Sequence, residues 1–171
     1  MKIAIIGYSG SGKSTLASSL GQHYNCKVLH LDKIHFTSNW QERTVNEMTD
    51  DISKFMSQKD WIIEGNYSTC LYEERMREAD CIVYFNFNRF NCLYRAFRRY
   101  LKYKGQTRPS MAENCHEKFD FEFVKWILLD GRSQKNATKF KVVVNKHPDK
   151  TIVLKNQKQL NDYMKKVKKQ L

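Results

Sequence analysis

Residues Gly7-Tyr8-Ser9-Gly10-Ser11-Gly12-Lys13-Ser14 place glycines, a lysine and a hydroxyl at the spacing G-x-x-x-x-G-K-[ST]. Glycine lets successive backbone N–H groups turn inward around phosphate oxygens, and a helix N-terminus beyond them adds the positive end of its dipole. The flanks fit: a β-branched run, Lys2–Ile6, comes before, and Leu16, Ala17 and Leu20 at helical spacing come after. In such a cradle Lys13 bridges the β- and γ-phosphates of a nucleoside triphosphate, and the Ser14 hydroxyl ligates Mg2+. Gly7, Ser9, Gly10, Ser11, Gly12 and Thr15 complete the expected binding set, with ATP and Mg2+ as the expected cofactors.

A phosphate donor needs an acceptor, a carboxylate and further cations. Asp32 and Glu64 close the second and third apolar runs. A carboxylate there either holds Mg2+ through water or takes the proton of an attacking hydroxyl. Asp32 is read as the acceptor or metal carboxylate, and Glu64 as a water-mediated Mg2+ partner; a helix cap or a surface charge is the plainer alternative for each. Charge spreading over the transferred phosphoryl oxygens calls for arginines, whose planar fork grips phosphate bidentately. Arg95, Arg98 and Arg99 lie three and four residues apart on one basic helix, and Arg108 follows in the next loop. Arg95, Arg99 and Arg108 are the chosen catalytic cations, Arg89 and Arg132 weaker ones, against the alternative of a solvated basic helix. Trp40, Tyr67 and the Phe-rich "FDFEF" could stack on a base, although aromatics in such number are more often core. His30, His35, His116 and His147 show no metal-ligand spacing.

The elements that must position these residues alternate. Apolar runs at Lys2–Ile6, Lys27–Leu31, Trp61–Tyr67, Cys81–Phe87 and Thr151–Leu154 read as strands. Helical patterns fall at Lys13–His23, around Val45–Phe55, Thr69–Glu78, Arg89–Tyr103, Phe121–Leu129, Ser133–Asn145 (where "VVV" could equally be strand) and Gln157–Leu171. Strands alternating with helices give an α/β fold: a five-stranded parallel sheet covered on both faces, with ligands beyond the carboxyl ends of the strands. One domain over residues 1–171 is expected, with a lid-like segment at about 100–120, where "GQTRPSMAENCHEKFD" has loop composition.

Composition bounds the alternatives. With 171 residues, 41% hydrophobic and 28% charged, the chain is an ordinary globular one. No run is long enough to span a bilayer, and "MKIAIIG" is too short a core for a signal peptide, so no membrane partner and a cytoplasmic location are expected. Five cysteines without a CxxC pair oppose both a disulfide framework and a zinc site. No Asn-Lys-x-Asp motif follows the fourth strand, which argues against a GTPase. Net charge is −2 over residues 1–87 and +14 over 88–171. The basic half admits a second reading, a regulator that binds nucleic acid weakly and uses ATP as a switch. No helix-turn-helix, zinc or RNA-binding sheet motif accompanies it. The leading expectation is an ATP-dependent kinase of a small-molecule acceptor, a nucleotide or nucleoside among the candidates.

"GYSGSGKST", "LDKIHF" with a following Trp, "WIIEGNY" and "GQTRPSMAENCHEKFDFEFVKWI" together resemble the DNA topology modulation (FlaR-type) proteins, among the adenylate-kinase-related P-loop kinases. The resemblance covers nearly the whole chain. It implies a three-layer P-loop NTPase core with strand order 2-3-1-4-5 and a flap closing over ATP. It places Asp32 in the family's "LD" element and Glu64-Gly65 in its "(D/E)GNY" element, with Glu in place of Asp. His116 stands where relatives usually have proline. The family name records an association with DNA topology, and the resemblance supplies no phosphoryl acceptor.

Overall fold

A strand buried on both faces must be apolar along its buried length, and β1 (Lys2–Gly7) is, from Ile3 onward. It runs at the centre of the sheet, parallel to β3 (Trp61–Glu64) on one side and to β4 (Cys81–Phe85) on the other. β2 (Val28–His30) and β5 (Thr151–Leu154) form the edges, giving the order β2-β3-β1-β4-β5, all parallel. This is the expected five-stranded parallel sheet with strand order 2-3-1-4-5. The computed structural model describes residues 1–169.

Side-chain parity sorts the helices into two layers. Ala4, Ile6, Trp61, Ile63, Ile82 and Tyr84 point to one face, where α3 (Val45–Met56), α4 (Tyr72–Glu78) and α7 (Gln134–Lys146) pack. Ile3, Ile5, Ile62, Val83 and Phe85 point to the other, covered by α1 (Lys13–His23), α5 (Arg89–Tyr103), α6 (Phe121–Leu128) and α8 (Gln157–Lys168). Burying an aliphatic side chain contributes about 1.5–3 kcal/mol, and the fully buried Ile5, Ile6, Ile62 and Ile63 lie in the strands that carry the loops of the site.

Several boundaries differ from the sequence reading, and the choice left open at the "VVV" run is settled. β2 stops at His30, and Asp32 lies in the first turn of a short helix, α2 (Leu31–His35), instead of ending a strand. Only Val28–His30 have partners on β3, so the chain turns as soon as the pairing runs out. α4 begins at Tyr72 because Leu71 takes a left-handed conformation at φ 49°. The "VVV" run is helical: Phe140 and Val143 are buried three residues apart while Val142 is exposed, a period that no strand provides. α8 is described to Lys168, and the expected end at Leu171 lies outside the described residues. Between α5 and α6 residues 104–120 form no helix or strand. Among the described residues no helix is long and apolar enough to cross a membrane.

Candidate active site

The loop from Gly7 to Gly12 joins the central strand to α1 at the carboxyl edge of the sheet. Its tight course depends on glycine. Gly10 and Gly12 have φ of 76° and 102°. A Cβ on Gly10 would come 2.4 Å from the Cys92 carbonyl oxygen, and one on Gly12 2.6 Å from Arg95 Nη1. β3 ends at Glu64, opposite Ile5 and two residues short of the position facing Gly7, and a side chain takes over. Asn66 Oδ1 accepts from Gly7 N at 3.0 Å, and Asn66 Nδ2 donates to Gly7 O at 2.6 Å. Asn66 thus adds one rung to the β1–β3 ladder and fixes the first residue of the loop. Beneath it the buried Arg75 donates to the Gly65 and Tyr67 carbonyls at 3.3 and 2.6 Å, and burial pushes its guanidinium down to about 10.

Lys13 Nζ donates to the Tyr8 carbonyl at 3.1 Å, so the ammonium folds back over the loop. Ser14 Oγ donates to Glu64 Oε2 at 3.0 Å, and His30 Nδ1 lies 3.1 Å from the same oxygen. Burial alone would raise the Glu64 carboxyl. The His30 hydrogen bond, the charges of Lys13 and His30 and the Ser14 hydroxyl outweigh it and hold the group below the usual carboxylate range. Glu64 therefore stays ionised beside the cradle.

Asp32 is reached from the opposite side. The Tyr67 hydroxyl donates to Asp32 Oδ1 at 3.0 Å, and Arg108 Nη2 donates to Asp32 Oδ2 at 3.3 Å. Burial, then the Asp32 charge and its hydrogen bond, push the Tyr67 phenol up and keep it a donor. Glu117 carries the other half of this network: Arg99 Nε donates to its Oε1 at 2.6 Å, and Arg108 Nε faces its Oε2 at 3.6 Å, an ion pair too long for a hydrogen bond. Burial, then the neighbouring Arg108 charge, pull the Arg99 guanidinium down. The segment between α5 and α6 is pinned across the cleft by Cys115. Its Sγ donates to the Thr37 carbonyl and accepts from Trp40 N, both at 3.3 Å, while Met111 and Ala112 pack with Phe36 and Trp40.

The sequence-derived set falls around one cleft of about 1590 Å3, which Ser9, Lys13, Ser14, Asp32, Glu64 and Arg108 help to line. Arg95 and Arg99 line it too, but neither guanidinium is free. Arg95 donates to the Ser11 carbonyl and to Gln157 Oε1, and stacks over Phe87 at 4.8 Å. Arg98 stands exposed beside the Tyr94 ring. Arg132 is a brace under the loop, donating to the Phe87 carbonyl at 2.7 Å and lying 3.9 Å from the Tyr8 ring centre. Tyr67 serves Asp32 through its hydroxyl. His30, Asn66, Arg75 and Glu117 were not singled out from sequence. Asn66 had a signal, its place just past a strand end inside "EGNY"; Glu117 had none, because its partners are 9 and 18 residues away in an irregular segment.

The residues fit the groups that the loop implies. Ser11 Oγ is buried in the cradle without a hydrogen-bond partner among the described residues, as expected of a group that awaits a ligand. Among them no three His, Cys, Asp or Glu side chains converge as a metal cage. A hydroxyl and one carboxylate suit Mg2+, which keeps several waters and takes its remaining ligands from phosphate.

No family model matches the chain, and no curated protein matches it. Solved structures do. A deoxyadenosine kinase from M. mycoides with bound dATP aligns at 16% identity over 98% of this chain and 99% of its own, with a TM-score of 0.51. A shikimate kinase from Bacteroides thetaiotaomicron aligns at 17% identity over 99% and 96%, with a TM-score of 0.47. A gluconokinase from Sinorhizobium meliloti 1021 aligns at 15% over 90% and 81%, with a TM-score of 0.49. At these identities the likeness is one of fold.

Proposed function

We propose that the protein is an ATP- and Mg2+-dependent kinase that transfers the γ-phosphoryl group to a small hydroxyl-bearing molecule. The observation that carries this reading is the line from the cradle to the acceptor carboxylate: Lys13 and Ser14 with Glu64 at the donor end, Asp32 with Tyr67 and Arg108 at the other, in one cleft. Mg2+, when bound, neutralises the triphosphate and draws charge from the breaking bond. Ser14 and Glu64 would hold it, Lys13 would hold the donor phosphates, and Asp32 would take the proton of the acceptor hydroxyl. Lys13 is the cation for charge that builds on the transferred group, and Arg108, paired with Asp32, holds the acceptor carboxylate in place. Residues 104–120 act as the lid: docked on Thr37 and Trp40 they keep water out, because water would otherwise compete as acceptor. The FlaR-type resemblance and the deoxyadenosine kinase fold match both support this class of chemistry.

Lys13→Ala tests it. Phosphoryl transfer should be abolished while thermal unfolding and far-ultraviolet circular dichroism stay those of the parent. Transfer that survives in the folded variant refutes the assignment.

A further inference from the structure

The acceptor end of the cleft is built differently from a phosphate site. Its two half-buried guanidinium groups are already matched by carboxylates. Arg99 and Arg108 share Glu117, and Arg108 also holds Asp32. The side chains of Arg108 and Glu117 are only 12% and 6% exposed, so this pairing sits out of water. A phosphate brought there would strip Arg108 from two carboxylates and set its own charge against them, at the cost of a desolvated anion. Among the described residues the cleft cations with no carboxylate partner are Lys13 and Arg95, held at the donor loop by the Tyr8 and Ser11 carbonyls, and Arg98, Lys102 and Lys118, which are exposed, where a phosphate gains little over its hydration.

The same end has an aromatic wall. The Tyr67 and His35 rings lie 4.5 Å apart, His35 and Phe36 4.4 Å, and Phe36 and Trp40 5.2 Å, a continuous run of four rings. Tyr67, Phe36 and Trp40 open onto the cleft beside Asp32. Asp32, whose side chain is 39% exposed, retains access to a hydroxyl proton. A flat or puckered ring that stacks on this wall with one hydroxyl on Asp32 satisfies every group without importing charge. Resting on the kinase reading, we propose that the acceptor is an uncharged, ring-bearing alcohol, the shared chemistry of nucleosides and free sugars, and not a phosphate-bearing compound. The bond formed is acceptor oxygen to γ-phosphorus, the bond broken is γ-phosphorus to the β–γ bridging oxygen, and the hydroxyl proton passes to Asp32.

The test uses matched pairs: each common nucleoside with its 5′-monophosphate, and glucose, ribose and their phosphates. Transfer to each is followed by mass spectrometry of the product, and binding to Lys13→Ala by titration calorimetry. In the pair that reacts, the uncharged member should lead by roughly tenfold or more in kcat/KM, a difference of about 1.4 kcal/mol. The nucleoside and sugar arms identify the source. Trp40→Leu should raise KM for the acceptor and leave KM for ATP unchanged. Glu117→Gln, which leaves positive charge unmatched at Arg99 and Arg108, should narrow or invert the preference. A phosphorylated member that reacts better in its pair, or an acceptor KM indifferent to Trp40→Leu, overturns the proposal and leaves the kinase reading intact. ATP binding without transfer to any compound overturns the kinase reading and the proposal together.

Discussion

Replacing Asn66 with alanine removes the two side-chain hydrogen bonds that hold Gly7 N and O, at 3.0 and 2.6 Å. The strand that would have supplied one ends at Glu64, and Gly7 is buried. A buried donor or acceptor left without a partner costs about 1–3 kcal/mol. Two of them bound the loss at about 2–6 kcal/mol, and water entering the vacated space brings the expectation to the lower half of that range. The loss falls on the first residue of the cradle, so it should divide between global stability and order of the loop. Nucleotide binding should weaken by one to two orders of magnitude if about 1.4–2.8 kcal/mol of it acts on the loop. The assay pairs urea unfolding with calorimetric titration of a non-hydrolysable ATP analogue. Asn66→Asp keeps the acceptor for Gly7 N and loses the donor to Gly7 O, so it should fall between parent and alanine variant unless its charge dominates. An alanine variant with the parent's unfolding midpoint and the parent's nucleotide affinity refutes the ladder-extension argument.

Two further predictions concern the charges behind the loop. Glu64 is held below its ordinary 4.5 in the folded protein, so its ionised form contributes stability that is present above that value and lost as pH falls through the lower folded value. Urea midpoints of parent and Glu64→Gln should therefore differ in their acid limbs, and parallel limbs refute the coupling. Arg75→Met keeps the apolar stem of a fully buried side chain but leaves the Gly65 and Tyr67 carbonyls without their donors, at a cost of about 2–4 kcal/mol, read as a lowered urea midpoint; an unchanged midpoint refutes the bracing role.

Periodic and local features were legible in the sequence, and features made by distant chain segments were not. The parity of β1, the i, i+3 pattern of α3 and the glycine spacing of the cradle each depend on a few adjacent residues, and each lies where its pattern placed it. Asp32 was misplaced by two residues because the apolar run continues through Leu31, which is buried whether it ends a strand or opens a helix. Arg95 was seen as a free cation on a basic face. Its engagement with the Ser11 carbonyl spans 84 residues and leaves no trace in helical periodicity. The roles of Glu117 and Cys115 likewise arise from an irregular segment laid across the cleft, where composition marks a loop but no period tells which side chains face inward.

The central place of β1 also sets an order of events during synthesis. β1 is made well before the strands it pairs with: Ile3 awaits Ile62 and Cys81, and β4 in turn awaits β5 at residue 151. Until residues 61–66 have followed it off the ribosome, the apolar stretch Ile3-Ala4-Ile5-Ile6 has no sheet to join, and the loop after it has no Asn66 to hold it. Such long-range parallel pairing is slow and leaves apolar segments uncovered meanwhile. The glycine loop is thus translated well before the segments that fix its shape.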